Sequence, residues 1–371
     1  MRSFWVLLAG LLGLVAAWAN AAEPALSHVN VYESGKDGYY AYRIPAIETA
    51  PDGSLLAFAE ARKHNLGDPG TPNNDIDLVL KRSTDGGRTW SAMRVIEDSG
   101  ELWSSANPAT VVDRQTGRVW VHYLRCRPGR GSEKARPGTD DVRNLARHSD
   151  DNGLSWSEPV DLTSAARDMN DSNWRCSVPG PGGAIQDRKG RLLVPHWKVM
   201  PWGVLAVYSD DHGKTWKRGD CVPGDRGGNE NQLVELADGR ILMDYRQNDG
   251  PHRWLAVSGD GGQTWGKPRP GQKVTPVCCA IERLALRSAG GDRDRILWTG
   301  PKGPGRNHLV AWTSLDEAQT FTNPRVIANE PAAYSDLALL KDKAAGVLWE
   351  RGNYKYITFT RLGRDFLDAA E

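Results

Sequence analysis

Ser83-Thr84-Asp85-Gly86-Gly87-Arg88-Thr89-Trp90 decides the fold of this 371-residue chain, because the phrase returns three times in full. The later copies are Ser149-Asp150-Asp151-Asn152-Gly153-Leu154-Ser155-Trp156, Ser209-Asp210-Asp211-His212-Gly213-Lys214-Thr215-Trp216 and Ser258-Gly259-Asp260-Gly261-Gly262-Gln263-Thr264-Trp265. A fifth, eroded copy runs from Ser314 through Asp316 to Thr320 and Phe321, with Ala318 in place of Gly. The recurrence, roughly every 50–65 residues, fits one four-stranded propeller blade, a sheet that cannot bury both faces without neighbours. Within the phrase the Asp carboxylate can accept N–H groups of its own turn and Gly supplies a positive φ. The Trp is large enough to wedge under the hairpin. These aspartates are read as turn locks rather than as chemistry.

Between the repeats, alternating apolar runs bounded by Gly, Asp and Pro read as strands, as in 54–59, 76–80, 119–123 and 192–195. Sustained helical periodicity is missing from the sequence. The prediction is an all-β, six-bladed β-propeller, closed by a last strand over 356–360 that joins the N-terminal blade. Residues 127–143 are rich in Pro, Gly and charge and read as a long loop, either disordered or part of a site rim.

At the N-terminus, Arg2 precedes an apolar run from Phe4 to Val15 and the small-residue pattern Ala19-Asn20-Ala21. This is a signal peptide over 1–22, too short to span a membrane, and it predicts an exported chain, periplasmic or extracellular. The remainder, 23–371, is expected to be a single propeller domain, monomeric and without a membrane span. A formal net charge of +1 gives no basic surface of the size nucleic acid demands. Five cysteines, Cys126, Cys176, Cys221, Cys278 and Cys279, lack zinc-ligand spacing. An exported protein can pair two or four of them and leave an odd thiol.

Tyr42-Arg43-Ile44-Pro45-Ala46 opens the first strand, followed in order by Ala57-Phe58-Ala59-Glu60-Ala61-Arg62, Gly228-Asn229-Glu230-Asn231-Gln232, Ala333-Tyr334-Ser335-Asp336-Leu337 and Leu348-Trp349-Glu350. On these motifs the chain resembles the exo-sialidases over nearly its whole mature length. The resemblance implies removal of terminal α-linked sialic acid from sialylated glycoproteins, glycolipids and oligosaccharides, with retention and with no metal or other cofactor. A carboxylate on the anomeric carbon calls for cations that stay charged, and guanidinium grips it bidentately. By resemblance these are Arg43, Arg246 and Arg306. The anomeric carboxylate also repels an acidic nucleophile, and sialidases use Tyr instead. That role falls to Tyr334 with Glu230 as its base. The acid falls to Asp68, with Asp75 as the rival because the segment 69–73 lengthens this loop. Glu350 is expected to orient Arg43, and Arg62 to bond a ring hydroxyl. Trp349 stands where the family often has Tyr, and Asp244 lies near enough to Arg246 to raise the question whether it neutralises the clamp. Transfer to another sugar, release of an anhydro product, preference for a deaminated sialic acid and a non-catalytic sialoglycan-binding propeller are the alternatives.

Overall fold

The computed structural model describes residues 26–368 apart from 226, 249 and 323; the predicted signal peptide lies outside the described residues. Strands dominate, and the only α-helices among the described residues are the single turns Thr163–Ala166 and Arg364–Asp368. None of the described helices is long and apolar enough to cross a membrane.

The strands form antiparallel runs of four. Ala41–Thr49, Leu55–Arg62, Ile76–Ser83 and Arg94–Glu97 make one run, and Ser104–Asp113, Arg118–Cys126, Val142–Ser149 and Val160–Asp161 the next. In strand pairing the two are joined by the single parallel pair Ile76 and Ser104. Cys176–Pro179, with Ile185–Gln186, leads the sheet of Leu192–Val199, Gly203–Ser209 and Lys217–Arg218; Gly228–Glu235 leads that of Ile241–Gln247, His252–Ser258 and Arg269–Lys273. In the last sheet Ala280–Ala285, Arg295–Pro301 and Asn307–Ser314 lead to the 15-residue strand Arg325–Leu339, which changes partner midway. Up to Pro331 it pairs with Asn307–Ser314, and from Ala332 with Ala345–Arg351. Tyr356–Leu362 then pairs with His28–Glu33, so the two ends of the described chain share a sheet.

The repeats behave as turn locks. Asp85 Oδ1 accepts the Thr89 N–H at 3.0 Å and Oδ2 the Thr89 hydroxyl at 2.6 Å, while Ser83 Oγ accepts the Gly87 N–H at 2.9 Å. In the second copy the Ser155 hydroxyl and N–H hold the Asp151 carboxyl at about 2. Close packing supplies a second reason for glycine. A Cβ on Gly87 would meet Phe359 at 2.1 Å, on Gly153 Leu56 at 2.7 Å, on Gly213 Trp120 at 2.3 Å and on Gly262 Leu193 at 2.8 Å. Each lock is thus seated on a strand of the preceding four-strand run, and the first is seated on the last. Ala318, at φ 60°, keeps the same bond to Ser314 at 2.8 Å.

Four of the five cysteines are buried and all five are free thiols, so the disulfide pairing allowed by the sequence is not formed. Strands 41–49, 104–113, 228–235, 280–285 and 325–339 lie against one another along the middle of the molecule. Three of them, 41–49, 228–235 and 325–339, carry Arg43, Glu230 and Tyr334 of the site described next.

Candidate active site

The central strands lose register with their partners just where the expected site residues stand, between Arg43 and Ala46, Gly228 and Asn231, and Ala332 and Ser335. An extra residue in a strand re-aims its side chains. At the first bulge Ile44 has φ 56°, an outlier for a β-branched residue. Its N–H is donated to Glu350 Oε1 at 2.9 Å. The same buried carboxylate accepts Arg43 Nε at 2.5 Å, Arg43 Nη2 at 3.3 Å and the Tyr334 N–H at 3.2 Å. Glu350, from strand Ala345–Arg351, therefore ties Arg43 to the backbone that presents Tyr334. Burial pulls the Arg43 guanidinium down, but Glu350 outweighs it and the net direction is up.

Tyr334 donates its hydroxyl to Glu230 Oε1 at 2.5 Å. Arg246, on strand Ile241–Gln247, donates Nη1 both to Glu230 Oε2 at 2.7 Å and to the Tyr334 oxygen at 3.0 Å. Burial, then the Glu230 charge, push the phenol well above its ordinary value, with Arg246 and Arg43 opposing. The resting phenol is neutral, with its proton already aimed at a carboxylate. The guanidinium carbons of Arg43 and Arg306 lie 5.3 and 5.4 Å from the Tyr334 ring centroid. Arg43, Arg246, Arg306, Glu230, Tyr334 and Glu350 thus converge from four sheet segments.

Asp68 and Asp75 have different surroundings. The Asp68 side chain is 87% exposed, and among the described residues its only side-chain partner is Arg62 at 3.3 Å. Asp75 is buried, accepts the Leu102 N–H at 3.1 Å and pairs with Lys63 at 3.1 Å. Lys63 also holds Asp77 at 3.2 Å, with Asp98 at 3.9 Å, so an ammonium fills the centre of this acidic group. Arg62, expected to reach a ring hydroxyl, is fully buried beneath the Asp68 loop. Its donors go to Glu60 Oε2 at 3.0 and 2.6 Å, Leu66 O at 2.5 Å and Asp68. Glu60 is paired across the sheet with Arg43 and also accepts the Asn107 N–H at 3.0 Å. The long loop 127–143 touches the same region, since a Cβ on Gly70 would meet Gly131 N at 2.3 Å.

Asp244 stays out of the site. It is buried and already committed, bonded to Arg253 at 2.7 Å and to the Trp298 indole. Trp349 likewise points into the sheet packing, donating to Thr360 Oγ1 at 2.9 Å. Sequence reasoning gave no role to Glu60 and overlooked Tyr354. Gly352, Asn353 and Tyr354 have φ of 61°, 54° and 68°, a left-handed turn that costs roughly 1–2 kcal/mol per non-glycine residue. Gly352 N–H to Pro331 O at 2.9 Å and Ser34 Oγ to Tyr354 O at 2.6 Å secure it. The turn places the Tyr354 ring 4.2 Å from the Arg43 guanidinium and its oxygen 2.7 Å from Arg306 Nη1. A Gly-Asn pair just after Glu350 was the available signal for a left-handed turn.

A family model described as a BNR repeat-like domain matches residues 53–351, all five repeats included and Arg43 just outside. The chain is 32% identical over 359 residues to a sialidase of Micromonospora viridifaciens, covering 91% of this chain and 54% of that protein. It therefore spans just over half of that relative's length. With a sialidase of Clostridium perfringens it shares 30% identity over 275 residues, 70% of each chain. Among solved structures, the Hadza microbial sialidase Hz136 matches with a TM-score of 0.82 at 25% identity, covering 90% of this chain and 68% of that one.

Proposed function

Since this chain belongs to the sialidase family with BNR repeats, we propose that it is an exported exo-α-sialidase built on a six-bladed propeller, cleaving terminal sialic acid from glycoconjugates with retention. Support for six blades comes from the six antiparallel four-strand runs and the shared sheet of the chain ends. The single observation that carries the activity is the hydrogen-bonded series Glu230, Tyr334 and Arg246 lying beside Arg43 and Arg306.

In this reading the three arginines grip the carboxylate on the anomeric carbon. Asp68 gives its proton to the glycosidic oxygen as that bond breaks, the Tyr334 oxygen bonds to the anomeric carbon, and the phenol proton passes to Glu230. Water then attacks the same carbon, its proton goes to Asp68, and Tyr334 leaves and recovers its proton from Glu230. Two displacements at one carbon retain the configuration. The exposure of Asp68 suits a group that meets first a sugar oxygen and then water, whereas Asp75 is already committed to Lys63.

The test is fluorophore release from an aryl α-sialoside by the purified chain, with the first-formed anomer read by NMR. A fluorinated sialosyl fluoride should add one sialyl-derived mass to the peptide carrying Tyr334. No release, an inverted first product, or a label on another residue overturns the proposal.

A further inference from the structure

Two of the three clamp arginines sit against carboxylates, Arg43 on Glu350 at 2.5 Å and Arg246 on Glu230 at 2.7 Å. Arg306 does not. Among the described residues its only side-chain hydrogen bond is to the neutral Tyr354 hydroxyl, at 2.7 Å. Arg306 therefore brings a positive charge with no internal counter-charge, held in place by a phenol.

We infer that Tyr354 is a positioning residue that sets Arg306 and Arg43 for the substrate carboxylate; the inference rests on the clamp reading above. Glu350 engages the Nε and Nη2 edge of Arg43, and the Tyr354 ring covers its guanidinium face at 4.2 Å. Nη1 has no protein partner among the described residues and is left for a ligand oxygen. The same ring, through its hydroxyl, fixes Arg306. One side chain thereby sets the separation of two cations that must meet a single planar carboxylate, and bidentate recognition is sensitive to that spacing. The left-handed conformation of Asn353 and Tyr354 fits this role, because strained backbone persists where the surrounding structure enforces it and clusters at ligand clamps. Without this turn, Tyr354 would not reach between two sheet segments.

The experiment measures binding of a 2,3-unsaturated sialic acid, which is not hydrolysed, and of its methyl ester, which lacks the charge. Wild type, Tyr354→Phe, Tyr354→Leu, Arg306→Lys and the double variant Tyr354→Phe/Arg306→Lys are compared by calorimetry. Wild type should favour the acid strongly. Tyr354→Phe keeps the stack on Arg43 and loses only the anchor of Arg306, so the acid-to-ester preference should fall about 5–20-fold, in the range of a lost hydrogen bond to a charged group. Ester affinity should stay within about threefold. Tyr354→Leu should fall further, and the kcat/KM of Tyr354→Phe on an aryl sialoside should fall by the same factor with the limbs of its pH profile unmoved. In the Arg306→Lys background Tyr354→Phe should add little. An unchanged acid-to-ester preference, equal weakening of both ligands, or full additivity with Arg306→Lys overturns the inference while leaving the clamp standing. Failure of wild type to favour the acid overturns both.

Discussion

Replacing Glu230 by Gln tests the central step with almost no change of shape. Glu230 now accepts the Tyr334 proton on one oxygen at 2.5 Å and Arg246 on the other at 2.7 Å. An amide can satisfy only one of these. With its oxygen toward Tyr334, its NH2 opposes the Arg246 donor; turned over, its NH2 meets a phenol oxygen that already accepts from Arg246. In neither arrangement does the phenol have a base. Burial already holds that phenol protonated, so deprotonation during attack depends on the partner that has been removed. A positioned base contributes about 10²–10⁴ in rate, or about 3–5 kcal/mol of barrier. Arg246, meanwhile, loses its counter-charge and becomes freer to bind an anion. The expected result is a kcat about 10²–10⁴ lower on an aryl sialoside, with KM unchanged or lower, and correspondingly slow labelling of Tyr334 by a fluorinated sialosyl fluoride. A kcat within tenfold of wild type, or a raised KM at unchanged kcat, would refute this reasoning.

Asp68→Ala should lose far more activity on a sialylated lactose, whose alcohol leaving group needs a proton, than on an activated aryl sialoside; steady-state kinetics on both substrates check this, and the same pattern in Asp75→Asn instead would transfer the role. Asp75→Asn should lower stability by about 1–3 kcal/mol in urea unfolding, because Lys63 loses a buried partner. Gly213→Ala should cost about 2–4 kcal/mol by the same measurement, since its Cβ would lie 2.3 Å from the Trp120 ring at a left-handed position. Glu48 and Glu282, on two of the central strands, line a cavity of about 740 Å³ together with Arg114 and Arg283, with Asp336 buried close by. Burial, then the Asp336 charge, raise Glu282 to about 8, and burial raises Asp336 to about 7. In the folded protein both hold their protons to higher pH than in the unfolded chain, which ionises near pH 4, so their contribution to stability is lost as pH rises from about 4.5 toward 8. Glu282→Gln should melt about 2–6 °C above wild type at pH 8 and together with it at pH 4.5.

What the sequence determined by itself was local in origin. Each repeat closes its own hydrogen bonds within four residues, as Asp85 does with Thr89, so the turn can be read wherever the phrase occurs. Alternation likewise located the strands, with ends that ran past the apolar runs. The run at 119–123 extends to Arg118–Cys126, because ladder bonds continue after the hydrophobic pattern stops. The site was legible only through resemblance, since Arg43 and Glu350 stand 307 positions apart and Tyr334 and Glu230 104. Burial and pairing, which belong to the folded chain, give Asp68 and Asp75 different surroundings and bond Asp244 to Arg253. They also covered Arg62 and left the cysteines unpaired. Tyr354 needed the tertiary structure most. Its position depends on a left-handed turn and its role on two arginines from distant segments, and the energy of such contacts depends on distances that sequence order does not set.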